Sequence, residues 1–338
     1  MKRTSDKQRP IDRLRDSAGS LKINTSDDET PIREMISTGD RLLVVKDHGI
    51  YEIALADQID PERSNPSVPN TIQRVLPFGA ADSWVGAVVL TARQLFMSSC
   101  FDADAGRRAF DLVLRIAQDI AGAQQIIRRH NELESEALGS VDPQIHHDRS
   151  FVLPSVGNVE ASCNEYLQRT DHALRELFKT VQLFYPDVGS GGWDSLKKKI
   201  ESGPEGLDNF SQFLADSIGF LKLIRNARNC VEHPRPEQRL VVVDFSIDRN
   251  NMLVPPTIEV IYPKDSMPKS QVAEFFDSSI KSLVNVVELM VVFLGARNVG
   301  QAAGFPVHVM ELAPDQRRHP HVRYSFGMLM GGQLVPMS

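Results

Sequence analysis

The apolar positions of this chain follow two periods, and the switch between them marks its organisation. From Ala80 to about Arg297 they recur at three- and four-residue spacing, in "ADSWVGAVVLTARQLFMSSC", "AGRRAFDLVLRIAQDIAGAQQIIRRHNELESEAL" and "VEASCNEYLQRTDHALRELFKTVQLFY", which predicts long amphipathic helices. Asp142, Pro143 and Pro154 break the chain between the second and third of these, and the glycines of "PDVGSGGWD" end the third. A shorter helix is expected over Trp193 to Ser202. The next helix runs from about Asp208, a suitable N-cap, to His233, where Pro234 stops it. "SQVAEFFDSSIKSLVNVVELMVVFLGARN" predicts one more long helix.

Elsewhere the period shortens to that of strands. "RLLVVKDHGIYEIAL" reads as a hairpin around Asp47-His48-Gly49, with Gly49 supplying a positive φ. "RLVVVDFSIDRNNMLVPPTIEVIYP" reads as a second hairpin around Asp248 to Asn251, and "HVRYSFGMLMGGQLVPM" as a third that turns at Gly331-Gly332. The expected organisation is a flexible tail over 1–34, a hairpin and loop over 35–79, a helical domain over 80–300 with an inserted hairpin at 239–262, and a β extension over 301–338. The fold class this implies is mainly α.

Composition narrows the function. With 338 residues, 41% apolar and 24% charged, the chain can bury one large core or two smaller ones. A net charge of -6 excludes a protein that coats nucleic acid through a broadly basic surface, so any nucleic-acid contact is local. Cys100, Cys163 and Cys230 are odd in number and far apart, with no zinc spacing, which fits a reducing cytoplasm. The basic N-terminus is not followed by an apolar run, so no secretory signal is expected. The run Leu283 to Leu294 is interrupted by Asn285 and Glu288 and falls short of the ~20 residues that cross a bilayer, so no membrane partner is expected either. His146-His147 and His319-Pro320-His321 lack ligand partners and read as exposed loops, and "GSGG" at Gly189 to Gly192 lacks the Lys-Ser/Thr of a phosphate loop; neither a metal nor a cofactor is expected.

One stretch carries candidate chemistry. "LIRNARNCVEHPRPE" ends its helix with three cations and two asparagines. With Arg225 at zero on a wheel of ~100° per residue, Asn229, Lys222, His233 and Asn226 fall between ~40° and ~100°, one polar stripe, while Arg228 falls near ~300°. Phe210, Phe213, Phe220, Ile224, Ala227 and Val231 make the opposite, core-facing side. Cations at a helix C-terminus suit the macrodipole and cap the last carbonyls, which accounts for Arg and His. It leaves two asparagines, each ~0.5 kcal/mol or more worse than Ala inside a helix, without a reason. Arginine matches phosphate oxygens, asparagine orients a hydroxyl or phosphate, and histidine moves a proton near neutral pH, so the combination suits a phosphodiester.

Arg228-Asn229-Cys230-Val231-Glu232-His233 resembles the R-N-x-x-x-H form of the Rx4-6H signature of HEPN domains, over a region that spans residues 80 to 297. The resemblance implies a HEPN-like helical bundle, with small β-hairpin additions at the N-terminus, after the motif helix and at the C-terminus. It implies a metal-independent endoribonuclease, as in toxins and antiphage effectors, working as a homodimer whose motifs face each other, with RNA as substrate and an antitoxin or regulatory protein as a further partner. Carried over, His233 is the acid/base for attack by the RNA 2′-hydroxyl, Arg228 stabilises the developing charge and Asn229 fixes geometry, with Arg225 an alternative phosphate contact. Asn226 and Lys222 are assigned to substrate binding. Arg228 and His233 are ~140° apart on an ideal helix, which opposes their meeting on one phosphate. Two rival readings stand: a noncatalytic module that binds RNA or protein, and a scaffold whose Arg225, Arg228 and His233 are tied to internal carboxylates or carbonyls.

Overall fold

The computed structural model describes residues 9–16, 23, 28–140, 149–203, 208–263, 265–302 and 304–337, and its chain divides into one compact unit ending at Gly86 and another beginning at Ala87. His146, His147 and the break at Asp142-Pro143 lie outside the described residues, as does most of the expected tail.

The first unit contains α1 (Pro10–Asp16), β1 (Glu34–Thr38), β2 (Arg41–Val45), β3 (Ile50–Ala54), the single turn α2 (Ala56–Ile59), β4 (Thr71–Leu76) and the short α3 (Ser83–Val85). Its strands form an antiparallel meander in the order β1-β2-β3-β4. β1 alternates strictly, with Glu34, Ile36 and Thr38 buried, while Leu43, Val44 and Val45 of β2 are all buried. Gly49 does not use a positive φ. The turn is instead a four-residue loop closed by the Lys46 N–H on the Gly49 carbonyl, with Asp47 held by Arg33 at 2.7 Å and 2.8 Å. α1 is anchored through Arg15, which pairs with Asp57 and Asp60. The N–H groups of Asn65 and Ser64 hold the Asp60 carboxyl far below the usual carboxylate range.

The second unit begins with a π turn (Gly86–Leu90) that leads into α4 (Thr91–Phe96). Four long helices follow, with a short one among them: α5 (Ala103–Gly139), α6 (Val159–Phe184), α7 (Gly192–Glu201), α8 (Asn209–Glu232) and α9 (Val272–Asn298). The Asp102 carboxylate caps α5 by accepting from the Ala105 N–H. α6 lies along α5 and also packs on α8 and α9. Tyr166 of α6 is fully buried, its hydroxyl 2.6 Å from Ser279 and its ring 4.4 Å from that of Phe276, both on α9. Phe210 stacks on Phe293 at 4.9 Å and joins α8 to α9, while Phe178 meets Trp193 and joins α6 to α7. By length and composition α9 could cross a membrane, but 61% of its most apolar window is buried within this unit.

The expectation of a mainly α bundle with small hairpins is overturned. Among the described residues 51% are helical and 20% are in strands, with four separate antiparallel sheets, a mixed α and β fold. β5 (Arg239–Val243), β8 (Thr257–Ile261) and β9 (Met267–Gln271) form a three-stranded sheet, and β6 (Ser246–Ile247) pairs with β7 (Leu253–Val254) around the foreseen turn. β10 (Gln301–Ala302), β11 (Phe305–Glu311), β12 (Tyr324–Met330) and β13 (Gln333–Pro336) form a four-stranded sheet. Its last turn holds Gly331 and Gly332 at φ 58° and 82°, the left-handed geometry that matches strand twist. The strands not individually expected are β1, β4 and β9, and, within the expected β extension, β10 and β11; β10 has two residues, and β9 and β11 carry Pro268 and Pro306. They are completed by pairing with neighbouring strands, β1 on β2, β4 on β3, β9 on β8 and β11 on both β10 and β12, which the apolar period of a segment taken alone does not record.

Glu288 of α9, 2% exposed as a side chain, is paired with Arg323 beside β12. Arg323→Ala strands a buried carboxylate. Because Arg323 itself is partly exposed, the expected cost is about 2 kcal/mol, below the 3–5 kcal/mol of a fully buried pair. Urea denaturation of the two proteins measures it, and equal midpoints would refute it.

Candidate functional site

α8 is set by its two ends. At the N-terminus Asp208 and Ser211 form a reciprocal cap, and Asp208 also binds Arg297 of α9. At the C-terminus the chain leaves the helix at His233, at φ -136° and ψ 60°. The Gln238 side-chain amide donates to the Asn229 carbonyl at 2.9 Å and to the His233 carbonyl at 3.0 Å. The terminal carbonyls are thus closed by a glutamine four residues past the proline, and the cations of the last turns are left for other work.

Arg228 faces α6. Its Nε is 3.6 Å from the Asp171 Oδ2, and its Nη2 is bound to the Oε1 of Glu232. The other Glu232 oxygen, Oε2, lies 4.0 Å from the Nε2 of His233. One carboxylate therefore sits between the guanidinium and the imidazole. His233 has left helical geometry, and it and the long Arg228 side chain approach opposite oxygens of Glu232. His233 itself is 67% exposed, whereas Arg228 is 19% exposed.

The other expected residues divide. Asn229 is half-buried with its Oδ1 3.5 Å from Arg228 Nη1, the outer limit of a hydrogen bond. Arg225 is exposed on the outer face. Lys222 reaches the other way, 3.3 Å from Asp194 of α7. Asn226, assigned to an exposed stripe, is buried instead, because α8 is covered on more than its apolar side. Phe220 and Val231, assigned to the core, are half-buried. His319 and His321 are half-buried rather than exposed. Among the described residues no group of three or more His, Cys, Asp or Glu is arranged to hold a metal ion.

Sequence reasoning missed the facing wall. Arg228 opens onto a cavity of about 540 Å³ whose far side is built from α5 and α6. There Asp171 binds Arg175 at 2.6 Å, and Asp119 of α5 binds His172 at 2.5 Å. The signal was present in "QRTDHALRE", where Asp171 and Arg175, and His172 and Glu176, pair at one-turn spacing, and in Asp119, a carboxylate set among apolar positions of α5. Comparison with protein-family models, with curated proteins and with solved structures finds no match to this chain.

Burial raises the pKa of Asp171, with Arg175 and Arg228 opposing it. A carboxyl raised in this way holds its proton more tightly folded than unfolded, so stability falls as pH rises from the unfolded pKa through the folded one. Asp171→Asn removes that loss. Relative to wild type, the variant should gain stability as pH rises through the carboxylate range; urea midpoints taken across that range test it, and a difference that is flat or runs the other way refutes it.

Proposed function

We propose that this chain is a metal-independent endoribonuclease of the HEPN type, of the toxin or antiphage-effector kind, that cleaves RNA at the C-terminal end of α8. The observation that carries this reading is the Glu232 carboxylate held between Arg228 and His233. Two oxygens of a phosphodiester fit the place that its two oxygens occupy, with the guanidinium fork on one and the imidazole on the other. His233 takes the proton of the 2′-hydroxyl as that oxygen attacks the adjacent phosphorus, Arg228 stabilises the charge that develops there, and Asn229 steadies the geometry. Products are a 2′,3′-cyclic phosphate and a 5′-hydroxyl. Arg225, exposed one turn before Asn229, is placed to meet the flanking strand, and Lys222 joins it when it releases Asp194.

A second reading, a scaffold whose polar helix end is structural, draws support from the pairing of Arg228 with Asp171 and Glu232, which a purely structural arginine would also make. Incubation with total RNA in EDTA separates the two. Wild type is expected to cleave, and His233→Ala to lose ~10²-fold or more in rate while its melting temperature stays within a few degrees, because the imidazole is exposed. Arg228→Ala should be more damaging than Arg225→Ala. Absence of cleavage by wild type in every buffer would sink the nuclease reading. The resemblance further implies a homodimer, which light scattering at micromolar concentration checks; a strict monomer, unchanged by RNA, counts against facing motifs.

A further inference from the structure

The wall opposite Arg228 holds a second histidine whose surroundings are those of a proton-transfer group. Asp119 is 5% exposed and lies among the buried Ile116, Ala117 and Ile120 of α5. A carboxylate desolvated there requires a partner, and the one it meets at 2.5 Å is the Nδ1 of His172, with Arg169 farther off at 3.5 Å. An aspartate on Nδ1 fixes the ring and its tautomer, so that Nε2, which lies 3.8 Å from the Glu176 carboxylate, is the nitrogen available for proton exchange. His172 is also 56% exposed and borders the same cavity as Arg228 and Glu232. A pair serving only to join two helices has no need of an imidazole, nor of leaving it open to solvent.

We propose that His172, oriented by Asp119, is the second acid/base group of the RNA-cleaving site. The inference rests on the reading of the α8 end as that site. His233 removes the 2′-hydroxyl proton, the 2′-oxygen forms its bond to phosphorus, the bond from phosphorus to the 5′-oxygen breaks, and the His172 imidazolium gives its Nε2 proton to that leaving oxygen. No water or metal enters this step, and charge is conserved. His172 is thereby a catalytic residue and Asp119 a positioning residue.

Two measurements on the full chain test this. In the first, inorganic phosphate is titrated into wild type while the imidazole resonances are followed by NMR. The signals of His172 and His233 should shift together with one saturation curve. In the second, His172→Asn should lower kcat for RNA by ~10²-fold or more with KM little changed. Asp119→Asn should lower kcat less and change the His172 tautomer signature, and Asp119→Glu should restore part of the rate. Phosphate that moves His233 alone, or wild-type kcat in His172→Asn, overturns the second wall and leaves the nuclease reading standing. Wild type that neither cleaves RNA nor binds phosphate at His233 overturns both.

Discussion

A charged carboxylate cannot be left dry, and the middle of the second unit is arranged around that constraint. Asp119, Asp171 and Glu176 are each at most 6% exposed, yet they lie where long helices meet. Among the described residues, arginines, a lysine and an imidazole reach in from the rim to offset their desolvation. Arg169 and His172 serve Asp119, Arg175 and Arg228 serve Asp171, and Lys179 serves Glu176 at 2.5 Å. The packing of α8 on α6 therefore carries an electrostatic component as well as an apolar one, because Arg228 adds a second, longer contact to an Asp171 already bound by Arg175. Removing any one cation leaves a buried charge behind, which costs more than the pair itself contributes.

How far the sequence foretold this molecule depends on the range of the interactions involved. α8 was legible nearly to the residue, from its cap at Asp208 to its stop before Pro234, since caps and prolines act within a few positions. The turns at Asp248 to Asn251 and at Gly331-Gly332 were legible for the same reason. β9 was not, because "MPKSQ" has no apolar alternation and becomes a strand only at the open edge of a sheet whose centre is β8, a place that tolerates Pro268 and Lys269. The site divides along the same line. The motif residues lie within six consecutive positions, whereas Asp119 and His172 are separated by 53 positions and meet only through tertiary packing.

The same distinction explains the two asparagines. Both looked like polar residues spent on an open stripe, but Asn226 is enclosed and Asn229 is half-covered beside Arg228. A helical wheel gives the direction of a side chain and nothing about what lies in that direction. On α8 the neighbours include α6, α7, α9 and the sheet that starts at β5, so the exposed arc is narrower than the polar one.

The clamp that Gln238 places on the end of α8 bears on the dynamics of His233. The hydrogen bonds from Gln238 to the Asn229 and His233 carbonyls, and Pro234 and Pro236 after them, fix the main chain at the imidazole, while the ring itself is exposed and can turn about its own two torsions. Such a group sweeps a small cone instead of the volume open to a residue in a loose tail. Its effective molarity near the Arg228 guanidinium is correspondingly high, and the entropy that a bimolecular encounter would lose has already been surrendered when the chain folds.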